Sequence, residues 1–120
     1  MLYSYDRAKL FIEKYGFDFN NINKFEIINL INKEFENYKN FEDYAIEGSE
    51  YIVILCGYLF CLGDISGIEL LNKVKYNMNF DIQCMIDSDW IYSLENKNYN
   101  KNELIQEFID NCINYYDIKN

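Results

Sequence analysis

Residues 51–62 read Tyr-Ile-Val-Ile-Leu-Cys-Gly-Tyr-Leu-Phe-Cys-Leu, twelve residues without a charge. The rest of the chain must pack around this run, so its conformation decides the fold. The β-branched opening Ile52-Val53-Ile54 and the mid-run Gly57 favour one or two buried strands. Ser49 before it and Gly63 after it would cap and stop a buried helix equally well. A run that is apolar at every position has no periodicity to arbitrate. The β-branched opening tips the expectation to strands. The run falls short of the roughly 20 apolar residues that span a bilayer.

On the N-terminal side, Ser4 can cap a helix to Tyr15, with Ala8, Phe11, Ile12 and Tyr15 on one face and Gly16 as its stop. Asn23 starts a second helix, with Glu26 in a capping-box pattern and a stripe of Ile27, Leu30, Ile31, Phe35 and Tyr38. The pattern breaks between Phe41 and Gly48. On the C-terminal side, Ser66-Gly67-Ile68-Glu69 is a second capping-box signature, heading a helix to about Asn77 with Ile68, Leu71, Val74 and Met78 in register. Phe80, Ile82, Cys84 and Ile86 then alternate with polar residues. Asp87-Ser88-Asp89 turns the chain, and Trp90, Tyr92 and Leu94 alternate again, which is the signal for a hairpin. A solvated loop follows at 95–102. A last helix from about Glu103 to Tyr115 buries Leu104, Ile105, Phe108, Ile109 and Cys112. With 120 residues and no visible repeat or linker, the expectation is a single α+β domain spanning 1–120, about four helices packed on a small antiparallel sheet.

The composition excludes much chemistry. There is no His, no Pro and no Thr, and Arg7 is the only arginine. Without imidazole, serine triads, Cys-His pairs and His-bearing zinc or haem sites cannot be assembled from this chain. No Gly-rich phosphate loop occurs, and no Cys-x-x-Cys pair. The four cysteines, Cys56, Cys61, Cys84 and Cys112, read as reduced thiols in the core. The expectation is a protein that is no enzyme and has no metal site and no cofactor. Twenty acids against eleven bases give a net charge of -9 and an isoelectric point near 4.4. Such a chain is repelled by a phosphate backbone and by an anionic membrane, so the charged partner it suits is a basic protein. The start, Met1 to Asp6, lacks the basic and apolar regions of a signal peptide, so a cytoplasmic location is expected.

Two acidic stretches stand out. Glu34, Glu36, Glu42, Asp43, Glu47 and Glu50 face a single Lys39 across 34–50, with Tyr38, Phe41 and Tyr44 threaded among them. Aromatics ringed by carboxylates suit contact with a basic partner; the alternative is a solvated helix end with its rings turned inward. The second stretch carries Asp87, Asp89 and Glu95 around Trp90, with no base from 81 to 95. Its aspartates suit a turn, contact with a partner, or a hard cation, though two turn aspartates are few for the last. The candidate partner-binding residues are therefore Glu36, Phe41, Glu42, Asp43, Tyr44, Glu47 and Glu50, with Asp87, Asp89 and Trp90.

Asp64-Ile65-Ser66-Gly67-Ile68-Glu69-Leu70 looks a little like the Asp-Ser-Leu stretch of acyl carrier proteins, whose serine begins a helix and carries a pantetheine arm. It departs from that pattern in the residue between Asp64 and Ser66 and in Gly67 where Leu is usual, and a hairpin after the helix would be foreign to the all-helical carrier fold. In size, acidity, aromatic content and the absence of a catalytic set, the whole chain resembles the small immunity proteins of bacterial contact-dependent and polymorphic toxin systems. That resemblance implies a non-catalytic inhibitor that plugs the basic cleft of a nuclease-type toxin domain. The alternative is a phage-encoded inhibitor of a host defence effector, such as an anti-CRISPR protein that mimics nucleic-acid charge. Minor alternatives are a carrier-like protein or a small enzyme working through carboxylates such as Glu47, Glu50 or Asp87. Oligomeric state is left open.

Overall fold

The structure, a computed structural model, describes residues 3–40, 48–63 and 65–119. The described residues form seven helices and no strand: α1 Ser4–Tyr15, α2 Lys24–Lys39, α3 Glu50–Cys61, α4 Gly67–Asn77, α5 Phe80–Met85, α6 Ser88–Glu95 and α7 Lys101–Tyr116, with a 3-10 turn at Phe19–Asn21. The expected α+β architecture is overturned, since the described residues, which include every segment expected as strand, form no sheet.

The deciding run is α3. Every residue from Ile52 to Cys61 is buried in it, and α1, α2, α4 and α6 pack directly around it. Its backbone amides and carbonyls lie where water cannot reach them and no neighbouring strand is available, so the chain satisfies them within its own helix. Gly57 is no strand mark. A Cβ there would lie 2.1 Å from the Phe108 ring, so the glycine lets α7 lay an aromatic side chain on α3.

Next to Gly57, the Tyr58 ring meets Phe11, Phe19 and Phe108 at centroid distances of 4.8, 5.5 and 5.8 Å. Its hydroxyl donates to the Gly16 carbonyl at 2.7 Å, pinning the end of α1 to the core. The α3 N-terminus is capped from another helix. Ser49 makes no side-chain cap bond; instead the buried Ser4 Oγ of α1 accepts from the Tyr51 amide at 3.0 Å. Gly48 permits that approach, because a Cβ there would lie 2.8 Å from the Ser4 Cβ.

The expected hairpin is two short helices. In α5, Ile82 is buried and Ile86 just beyond the helix is buried four residues later, whereas Phe80 and Cys84 are exposed. The even-numbered apolar positions thus serve a helical spacing of four. The Asn79 side chain accepts from the Ile82 amide at 2.9 Å, and the buried Lys75 ammonium donates to the carbonyls of Gln83, at 2.5 Å, and Ile86. Both ends of this six-residue helix are therefore held by side chains. In α6, Trp90, Ile91 and Leu94 form the buried stripe, and Ile91 is the residue that breaks the alternation. Asp87 accepts from the Asp89 amide at 2.8 Å, so Asp-Ser-Asp starts a helix instead of turning a hairpin.

The remaining helices lie close to expectation. Asn23 caps α2 by accepting from the Phe25 amide at 2.8 Å, while the Glu26 carboxylate takes the Tyr15 hydroxyl. The start of α4 falls where Ser66 indicated, without a side-chain cap bond from that serine. The loop ahead of α7 carries Lys97, Asn98 and Asn100 at positive φ, and α7 buries Phe108, Cys112 and Tyr116.

Candidate acidic groove

An open groove of about 590 Å³ lies where α3, the end of α5, α6 and α7 meet. Its floor is apolar: Val53 and Ile54 from α3, Trp90 from α6 and Phe108 from α7, all buried. Trp90 stacks on Phe60 at 5.8 Å and meets Phe108 edge-on at 5.7 Å, which fixes the floor. The rim is accessible, with Glu50 at the start of α3, Met85 at the end of α5, and Asn111 and Tyr115 on α7. The Tyr115 hydroxyl donates to Glu50 Oε1 at 2.8 Å; that bond to a carboxylate raises the phenol's pKa and ties the rim of α3 to that of α7. No lysine or arginine lines the groove among the described residues.

Charge is divided sharply along the chain. Residues 1–40 hold six acids and six bases. Residues 41–63 hold four acids and no base, and residues 76–120 hold eight acids against three lysines, a net of -5. The whole surplus of -9 thus belongs to the segment leading into α3 and to the part of the chain that forms α5, α6 and α7. On α7, Glu103, Glu107 and Asp110 recur at helical spacing on the exposed side, opposite the buried Phe108 and Cys112.

Of the residues singled out from sequence, Glu50 and Trp90 come from different stretches and meet in this groove. Trp90 is only 7% exposed, so it acts as floor and not as a projecting anchor. Asp87 lines a neighbouring depression of about 560 Å³ that shares Met85 with the groove. Asp89 lies beside the exposed Tyr92 and Tyr99, whose rings meet at 6.2 Å. Glu36 is exposed on the last turn of α2, away from the groove. Phe41, Glu42, Asp43, Tyr44 and Glu47 lie outside the described residues. Glu34, counted in the acidic stretch, is buried in α2 and takes both arms of the Arg7 guanidinium at 2.7 Å each, so its charge is neutralised inside the fold.

The rim residues Met85, Asn111 and Tyr115 are absent from the sequence-based candidates, because the apolar stripe of α7 marks only its buried side and the alternation in α5 fits a strand. The signal was present in α7, where no base follows Lys101 until Lys119.

The chemistry the site lacks is equally plain. Burial pushes the thiols of Cys56 and Cys61 far above their ordinary value and that of Cys112 to about 12, so all three stay protonated at neutral pH. Cys84, expected to face inward, is exposed on α5. Among the described residues no three His, Cys, Asp or Glu side chains converge as a metal site would require, and no helix is long and apolar enough to cross a membrane. The hairpin that set the chain apart from acyl carriers is gone, but the two departures around Ser66 stand, and Gly67 lies against Leu59 of α3, where a Cβ would come within 3.2 Å. Compared with protein-family models, curated proteins and solved structures, the chain matches none.

Proposed function

We propose that this protein works by binding, as a non-catalytic inhibitor of a basic protein, and that the partner is a nuclease-type toxin domain for which the chain is the immunity protein. The observation that carries this reading is the division of charge. The acid surplus lies wholly outside α1 and α2, and the same part of the chain encloses an apolar groove. Carboxylates around an apolar centre are what a tight complex with a cationic surface uses: charge steers the encounter and apolar burial holds the complex. Four free cysteines, three of them buried, are compatible with the cytoplasm, where a nuclease toxin would have to be met.

The row Glu103, Glu107 and Asp110 favours a second reading, a phosphate mimic directed at a defence effector, because regularly spaced carboxylates can stand in for phosphates. Salt separates the two. A mimic held by charge is shed as ionic strength rises, whereas a plug with an apolar centre persists.

The test is capture from nuclease-treated lysate of the encoding organism on the tagged protein, washed at moderate and then high salt, followed by co-expression of whatever is retained. A single basic protein that survives the high-salt wash, and whose toxicity the chain abolishes, is the expected result. A defence effector released by salt would favour the mimic. An acidic protein retained in place of a basic one, or no protein at all, overturns both. Reversal of Glu42, Asp43 and Glu47 to lysine should slow association at least ten-fold at low salt with little change in dissociation.

A further inference from the structure

We infer that the groove between α3 and α7 is the docking site for one basic amphipathic helix of the partner, an inference that rests on the basic-partner reading above. Apolar residues of that helix enter over Trp90 and Phe108, and its lysines and arginines reach Glu50 and the carboxylates one turn from the rim, Asp81 and Glu107. Three observations select this occupant. The groove's lining includes Glu50 and no cation among the described residues, and Asp81 and Glu107 are exposed one helical turn before the rim residues Met85 and Asn111. A second copy of this chain pairing groove to groove would set Glu50 and the acid-rich α5–α7 segment against their own like, which charge repulsion opposes. No strand among the described residues offers an edge to which an extended peptide could add, whereas an apolar trough between helices takes a helix through residues at i, i+3, i+4 and i+7. Met85, 43% exposed at the rim, supplies the unbranched, adaptable side chain that such grooves use to fit an incoming apolar face.

Trp90 is the only tryptophan, so its emission reports occupancy of the groove directly. The probes are three synthetic peptides without tryptophan: an amphipathic lysine-leucine helix, a peptide of the same composition with its leucines scrambled, and an amphipathic glutamate-leucine helix. The lysine-leucine helix should shift Trp90 emission saturably and bind at least ten-fold more tightly than either of the others. Met85→Lys and Asn111→Lys, both at exposed rim positions, should each weaken it at least ten-fold. Glu13→Gln, which makes the same change in net charge on α1, should leave it unchanged. Circular dichroism of each variant establishes that it is folded.

If both lysine-leucine peptides bind alike and the rim variants have no effect, the groove assignment is overturned and a basic partner survives. Equally tight binding of the glutamate-leucine helix overturns the role of charge in the groove. If no peptide binds, the groove assignment is again overturned, and the capture experiment decides the basic partner by itself. A small apolar dye that fills the groove and is not displaced by the lysine-leucine helix would mark a small-molecule cavity and overturn the assignment as well.

Discussion

The α1–α2 pair and the α5–α7 group are both helical and both rich in charge, but they use charge in opposite ways. In residues 1–40 six acids balance six bases, and several of these groups are bound within the fold. Arg7 forks onto the buried Glu34 and lies 4.1 Å from the centre of the Tyr51 ring; Tyr15 donates to Glu26; Lys39 donates to the Asn77 carbonyl at 2.9 Å. In α5–α7 most carboxylates are exposed, and they outnumber the cations. Balanced charges near a core hold helices together. An unbalanced surplus contributes nothing comparable to the fold.

The largest expected effect tests what joins the two regions. Gly57 of α3 receives the Phe108 ring of α7, and a methyl group there would overlap the ring. Alanine has the higher helix propensity by about 1 kcal/mol, but displacing a buried ring outweighs that, so Gly57→Ala should lose about 3 kcal/mol in urea unfolding. A neutral or stabilising result would mean that α7 shifts freely on α3 and that the groove between them is not a fixed feature.

That contact also shows how far the sequence could be read. Helices α1, α2, α4 and α7 were legible because each has a polar side, and periodicity needs a polar side to be seen. The α3 run has none; its helix follows from burial on every face, which is a property of its neighbours. The even-numbered apolar positions of α5 and α6 fit a strand and a helix alike until Ile91 breaks the alternation, and what ends α5 is a lysine from α4. The site was half legible. Glu50 and Trp90 stand out separately in the sequence, but their meeting depends on α3 being a helix, and the outer face of α7 carries no apolar pattern to mark it as part of a site.

Charge deletions sharpen the contrast directly. Arg7→Ala leaves Glu34 without its fork in a position where its side chain is 7% exposed. The pair is partly open on the arginine side, so the expected loss is about 2 kcal/mol, below that of a fully buried pair. Replacing Arg7 and Glu34 together by leucine should recover most of it. Glu107→Gln on α7 should change stability by less than about 0.5 kcal/mol, as for other exposed sites. A loss on α7 equal to that of Arg7→Ala would dissolve the distinction between internal and outward charge. Ser4→Ala removes the cap that α1 lends to α3 and should cost about 1 kcal/mol by the same measurement.

The smallest effect is confined to alkaline pH. Burial, then the hydrogen bond to Glu26, raises the Tyr15 hydroxyl from 10.0 to about 12. The folded state therefore keeps this proton where the unfolded chain has lost it. Its contribution to stability is complete below pH 10 and disappears as pH rises towards 12. Tyr15→Phe should flatten the decline of stability above pH 10 and leave stability at pH 7 little changed, since the edge of α1 is partly open to water. The decline will not vanish, because burial raises Tyr58, Tyr116 and the three core thiols in the same direction. Denaturant midpoints between pH 9 and 11 for both proteins check it. A slope unchanged by the substitution would show that the Tyr15–Glu26 bond is not held in solution, and that the neutral half keeps its two helices together through Arg7 and Glu34 instead.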